Sequence, residues 1–170
     1  MAGKTVVILG GGVGGLTAAN ELRGKLGGEH RIIVVDRSSQ HLFSPSLPWV
    51  MAGWRRPEQI TKDLRRMVRP GVEVIQAQVQ AVEPTAQKVS TEAGRLDYDY
   101  LVVALGAELA PEAIPGYAEV AHNFFSLDGV VKLAAALQAF PGGRVAVVVS
   151  RLPYKCPAAP YEAALLLHDL

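Results

Sequence analysis

Three glycines at fixed spacing, Gly10, Gly12 and Gly15, separate the β-branched apolar run Thr5-Val6-Val7-Ile8-Leu9 from a helix-forming stretch, Leu16 to Leu26. A G-x-G-x-x-G sequence between a strand and a helix has a mechanical reading. Gly10 permits a tight turn, Gly12 lets backbone approach a pyrophosphate, and Gly15 allows the helix to pack closely on the strand. The phosphates would meet free N–H groups at the positive end of the helix. A second apolar run, Arg31-Ile32-Ile33-Val34-Val35-Asp36, ends in an acid about 20 residues beyond the last glycine, the place from which a carboxylate bonds ribose hydroxyls. A glycine-rich turn with a solvated Asp36 would leave this spacing unexplained. The pattern therefore predicts a dinucleotide site, with Gly14 and Arg37 as adjoining positions.

Composition narrows the class. The chain has 170 residues, 49% of them hydrophobic, with 17 basic against 16 acidic side chains, which describes a globular protein and argues against nucleic acid as a partner. Residues 1–4 offer no charged-then-apolar leader and no run of 18 apolar residues occurs, so the expected location is the cytoplasm or the cytoplasmic face of a membrane. The single cysteine, Cys156, excludes an internal disulfide, and no metal site is expected.

Beyond Asp36, the segment 41–54 is apolar but interrupted by Pro45 and Pro48, and reads as neither regular helix nor strand. Such a stretch either covers a flat apolar group or plugs the core. From Arg55 to Arg69 the spacing of Ile60, Leu64, Met67 and Val68 predicts an amphipathic helix, whose basic face (Lys62, Arg65, Arg66, Arg69) is solvated or meets anionic lipid. Val72 to Val82 reads as a strand, followed by short strands at Lys88–Thr91 and Leu96–Tyr98, a β-meander inserted in the crossover of a parallel sheet. Tyr100 to Gly106 reads as a buried strand whose end returns to the cofactor crevice.

Residues 107–125 read as a linker, Leu127 to Phe140 as a helix, and Arg144 to Ser150 as another buried strand, the start of a second βα unit. Where that unit would carry glycines it reads Ser150-Arg151-Leu152-Pro153-Tyr154-Lys155-Cys156-Pro157-Ala158-Ala159-Pro160. Three prolines cannot supply the N–H groups that cradle a pyrophosphate, so the second unit is not expected to bind NAD(P). Cys156 follows Lys155 and precedes a helix, the electropositive setting of reactive thiols. The final helix, Tyr161 to Leu170, stops without a cap, which reads as the N-terminal part of a longer protein or a truncated product. The fold class is thus α/β: a Rossmann-like domain with an inserted β-meander over 1–110, and the start of a second, degenerate βα dinucleotide-type domain over 111–170.

Four blocks together carry a family resemblance: Gly10–Gly15, Ser44-Pro45-Ser46-Leu47-Pro48-Trp49-Val50-Met51-Ala52-Gly53-Trp54-Arg55, Tyr98 to Gly106, and Tyr154 to Glu162. In this order they resemble sulfide:quinone oxidoreductases, and the last block is also similar to the flavoprotein subunit of flavocytochrome c sulfide dehydrogenase. Both are FAD-dependent flavoproteins related to glutathione reductase. The resemblance implies that Gly10, Gly12 and Gly15 hold the FAD pyrophosphate, Asp36 the ribose, and the Val79 backbone the adenine edge. It further implies that Ala104 and Gly106 run along the pyrophosphate and ribityl chain and that Pro45 lies beside the flavin. Cys156 matches the first of two redox cysteines flanking the flavin, and Glu162 matches an acid nearby; Glu162 is equally an ordinary first-turn helix residue.

The implied chemistry is nucleophilic: hydrosulfide attacks a cysteine disulfide or sulfur bridge, leaving a persulfide on one cysteine and freeing the other as a thiolate that reduces the flavin, which then passes two electrons to a quinone. Sulfide and quinone are the implied small-molecule partners, with peripheral membrane association of the full-length protein and room for a homo-oligomer. The second redox cysteine and the quinone region would lie beyond Leu170, and a cysteine and histidine common before the helix at 127–140 are replaced by Phe125 and Gly129. Rival readings are a sulfide dehydrogenase subunit passing electrons to a cytochrome, a type II NADH:quinone oxidoreductase, disfavoured by the proline-rich turn, and a non-catalytic FAD-binding or interaction module.

Overall fold

The apolar run after Lys4 forms β1 (Thr5–Leu9), the centre of a parallel sheet in a computed structural model that describes residues 3–170. The chain divides into two compact units, one reaching to Leu42 and resuming from Thr61 to Glu108, the other comprising Phe43–Ile60 and Leu109–Leu170. In the first unit β1 leads through the glycine turn into α1 (Val13–Lys25) and back to β2 (Arg31–Asp36). The chain then forms β3 (Gln40–Leu42), β4 (Thr61–Asp63) and β5 (Val72–Gln76). The meander β6 (Val79–Glu83), β7 (Lys88–Thr91) and β8 (Gly94–Asp97) follows, and β9 (Tyr100–Val103) returns to the sheet. The sheet order is β5-β2-β1-β9, all parallel, with Thr5 opposite Arg31 and Val6 opposite Tyr100.

Parallel strands are buried on both faces, which is why β1 and β2 read as continuous apolar runs rather than alternating ones. Val6, Ile8, Ile32 and Val34 pack with Ala19 and Leu22 of α1. Val7, Leu9, Ile33 and Val35 face the other way, packing with Val79, Val82, Val89 and Leu96 of the meander. Each such side chain contributes about 1.5–3 kcal/mol by leaving water.

The register at the start of β1 is held by Asp99, which accepts from Lys4 Nζ at 2.7 Å and from the Thr5 N–H at 2.8 Å. The lysine and then the Thr5 N–H hold the Asp99 carboxyl below the ordinary carboxylate range. A depressed folded pKa adds stability above the unfolded value and loses it as pH falls through the folded one. Asp99→Asn is therefore expected to flatten the acid limb of a stability-versus-pH curve, measured by urea midpoints; because the pair is exposed, the change is small.

In the second unit, Ser44–Ser46 forms a 3-10 turn that runs into α2 (Leu47–Met51). The segment 41–54, expected to be irregular, is thus largely ordered. Pro48 sits in the first turn of α2, where its missing N–H costs nothing. The Arg55 guanidinium lies 4.1 Å from the Trp49 ring centroid and donates to Ser46 Oγ at 2.9 Å, closing the segment on itself. After α3 (Pro57–Ile60) come α4 (Tyr117–Val120), α5 (Leu127–Gln138) and α6 (Ala159–Asp169). Helix α2 packs on α5 and on α6, burying Leu47, Val50, Met51, Val130 and Ala163.

Four further expectations are corrected. The buried strand read over Tyr100–Gly106 ends at Val103 and lies at the edge of the sheet, with Tyr100 and Val103 exposed. Arg55–Arg69 is not one helix: α3 ends at Ile60, β4 pairs with β3, and Leu64–Arg66 is a 3-10 turn capped by Asp63, whose carboxylate accepts the Arg65 N–H at 2.7 Å. A tertiary ladder overrides the helical spacing there, and aspartate is better used as a cap than inside a helix. Val72–Val82 breaks after Gln76, where the Ala77 N–H turns to the Asp36 carbonyl, so β5 and β6 belong to different sheets. Arg144–Ser150 forms no strand: no segment among the described residues pairs with it, and Val145 and Val148 are exposed. An apolar run becomes a buried strand only when neighbouring strands and covering helices supply its partners.

Candidate functional site

The chain leaves β1 on one side of the sheet toward β2 and β5 and returns on the other at β9, so the strand order reverses between β1 and β9. A crevice for ligands opens at the carboxyl ends of strands at such a reversal. Here those ends are Leu9-Gly10 and Val103-Ala104, joined by the Ala104 N–H donating to the Leu9 carbonyl at 2.8 Å.

Gly10 and Gly15 each have a steric reason. Gly10 has φ +101°, and a Cβ there would stand 2.3 Å from the Ala104 carbonyl oxygen. A Cβ on Gly15 would stand 1.8 Å from the Gly10 carbonyl oxygen, which is the close helix-on-strand approach the spacing predicts. Gly12, the N-cap of α1, has open space where a Cβ would stand, and a Cβ on Gly14 would stand 3.8 Å from the Ala104 methyl, an ordinary contact. No side chain caps α1 and its first turn has no acidic residue, which leaves the positive end of the helix to a ligand.

Asp36 is held by the turn it serves. Its Oδ2 accepts the Gly11 N–H at 2.6 Å and its Oδ1 accepts the Ser38 N–H at 2.7 Å. A carboxylate has about four acceptor positions, so ribose hydroxyls can still be accommodated. A cleft of about 500 Å³ beside the turn is lined by Gly10, Asp36, Arg37, Val79, Gly106 and Glu108 among others, within the size range of nucleotide and drug-sized ligands. Gly106, at φ +73°, has open space where a side chain would stand. The first unit thus gathers Gly10, Gly15 and Ala104 at the strand ends and Asp36, Arg37, Val79 and Gly106 around one cleft.

The remaining expected site residues lie in the second unit. Pro45 is the middle residue of the 3-10 turn before α2. Cys156 is exposed, a free thiol at φ +59°, and its carbonyl accepts the Ala159 N–H at 3.0 Å as α6 begins. Glu162 is in the first turn of α6. Among the described residues no cluster of three or more His, Cys, Asp or Glu side chains could hold a metal, and no helix is long and apolar enough to cross a membrane.

Residues 4–149 match the family model for pyridine nucleotide-disulphide oxidoreductases. The chain belongs to this family. Its members are FAD-dependent oxidoreductases, and the glycine turn, the uncapped α1 and the adjoining cleft fit the adenosine diphosphate half of that cofactor. The chain is 31% identical to the mitochondrial sulfide:quinone oxidoreductase of Mus musculus over 95% of its own length and 37% of that protein. It is 32% identical to the sulfide-quinone reductase of Aquifex aeolicus over 97% of its length and 39% of that protein. The solved sulfide:quinone oxidoreductase of A. aeolicus superposes with a TM-score of 0.72 at 29% identity, over 80% of this chain and 32% of that one. The chain therefore spans less than two fifths of these relatives.

Three residues that the sequence did not single out also shape the glycine turn and the cleft beside it. His41 Nδ1 donates to the Gly11 carbonyl at 3.1 Å. Leu64 covers Gly11, where a Cβ would stand 2.8 Å from both Leu64 methyls. Glu108 pairs with Arg37 at 2.5 Å beside the cleft. No local pattern marks these contacts, because each joins residues more than 25 positions apart. Asp36→Ala removes the acceptor of the Gly11 N–H and a carboxylate that lines the cleft. It is expected to weaken FAD binding by about 10- to 100-fold, the worth of a hydrogen bond to a charged group, read as the flavin-to-protein ratio after dialysis.

Proposed function

We propose that this chain is the FAD-binding portion of a flavoenzyme that oxidises sulfide and passes the electrons to a quinone. The observation that carries the reading is Cys156: an exposed thiol at the head of α6, in a three-proline turn where a nicotinamide-binding unit would have glycines. The likeness to sulfide:quinone oxidoreductases along 95% of the chain supports it. In this reading residues 1–110 form the FAD domain and 111–170 begin a second domain that supplies sulfur chemistry instead of an NAD(P) site.

FAD supplies a two-electron acceptor when bound. The chain's own residues do the rest. Gly10, Gly12, Gly14 and Gly15 would bring backbone N–H groups to the pyrophosphate, Asp36 and Arg37 would flank the ribose, Val79 would present backbone to the adenine, and Ala104 and Gly106 would line the path between. Pro45 belongs to the segment that the family resemblance assigns to the flavin. Hydrosulfide attacks a disulfide between Cys156 and a second cysteine, which this chain does not contain; a new S–S bond forms to one cysteine sulfur, giving a persulfide, as the cysteine–cysteine S–S bond breaks and the other sulfur leaves as thiolate. Glu162, in the first turn of α6, is the acid that the family resemblance assigns to the neighbourhood of this thiol. The quinone, peripheral membrane contact on a cytoplasmic face and self-association belong to the full-length enzyme.

The test is anaerobic addition of sulfide to the purified full-length flavoprotein, followed by quinone. Bleaching of the flavin band by sulfide and its return with quinone supports the reading. A flavin that bleaches with NADH and not with sulfide would replace it with NADH:quinone oxidoreduction.

A further inference from the structure

The turn that receives the pyrophosphate contains a Gly11–Gly12 peptide, and two glycines in sequence leave that peptide plane free to flip. In a trans peptide the carbonyl and the following N–H point in opposite directions. If the Gly11 carbonyl turned outward, its partial negative charge would meet the phosphates and the Gly12 N–H would be lost to them. The structure holds the plane one way. His41, only 7% exposed, donates from Nδ1 to the Gly11 carbonyl at 3.1 Å; a carbonyl can only accept, so the proton is on Nδ1. The Gly11 N–H is fixed separately by Asp36 Oδ2, and the Leu64 methyls close on Gly11. His41 and Leu64 come from the ribbon β3–β4 and the turn after it, which brings them to the glycine turn although they are distant from it in sequence.

We propose that His41 is a positioning residue for the cofactor: it locks the Gly11–Gly12 peptide so that the Gly12 N–H faces the FAD pyrophosphate. The inference rests on FAD occupying this turn, and the experiment separates the two. FAD affinity of the purified chain is measured by flavin fluorescence for the unsubstituted protein, His41→Leu and His41→Asn, with the thermal midpoint of each apo form recorded alongside.

Leucine fills the space without a donor, and asparagine carries an N–H close to the position of Nδ1. His41→Leu is expected to weaken FAD binding about tenfold, the net worth of one hydrogen bond, and His41→Asn to remain within about threefold of the unsubstituted chain. An apo midpoint that falls while FAD affinity holds would show a purely structural histidine and overturn the proposal. So would a His41→Asn chain as weak as His41→Leu. Should His41→Leu not fold, His41→Asn decides alone, and a tenfold or greater loss of affinity in it overturns the proposal. Failure of the unsubstituted chain to bind FAD overturns both this proposal and the cofactor reading; normal binding by His41→Leu overturns this one only.

Discussion

Gly15→Ala is expected to lower FAD affinity at least about a hundredfold, because the added methyl carbon would stand 1.8 Å from the Gly10 carbonyl oxygen and 3.4 Å from Ile8 Cγ2. The first of these is backbone and cannot rotate away. Either α1 moves off β1 or the turn opens, and both take the N–H groups away from the pyrophosphate. Overpacking of this kind costs about 1–3 kcal/mol even where side chains can adjust, so the apo thermal midpoint should fall by roughly 5–10 °C. Gly28→Ala is the control, since a Cβ there meets nothing within 4 Å. A Gly15→Ala chain that binds FAD normally would mean that the helix-on-strand contact does not shape the site.

Cys156→Ser in the full-length enzyme is expected to abolish sulfide-driven flavin reduction, with a loss of several orders of magnitude, as when a reacting nucleophile is removed. FAD should stay bound, because the glycine turn, Asp36 and the cleft all belong to the first unit while Cys156 belongs to the second. The hydroxyl keeps the shape of the side chain but cannot carry the persulfide sulfur. Stopped-flow bleaching of the flavin with sulfide measures the effect. Reduction at close to the wild-type rate would remove Cys156 from the mechanism.

Gly15 is legible because its spacing from Gly10 is itself the steric requirement: the structure puts the Gly10 carbonyl where only a missing Cβ leaves room. Asp36 is legible for a similar reason, since the end of a buried strand fixes its position. The contrast is Ile60 and Leu64, which sit four apart, are both buried and mimic a helix face, yet belong to α3 and a 3-10 turn on either side of β4. Their spacing carries no trace of the β3 partner that breaks the helix. His41 shows the same blindness at the site itself, because its meaning lies in a carbonyl 30 residues earlier. Arg144–Ser150 shows a third cause: its apolar pattern describes a strand, but no other part of the described chain pairs with it.

Titrating FAD fluorescence with the purified chain tests most directly whether the turn from Gly10 to Gly15 and its cleft hold FAD through the adenosine diphosphate half. Saturable binding of one FAD per chain is expected, displaced by ADP and removed by Gly15→Ala. A chain that is folded by circular dichroism yet leaves FAD fluorescence unchanged, or binds it in a way that ADP does not compete, would contradict it.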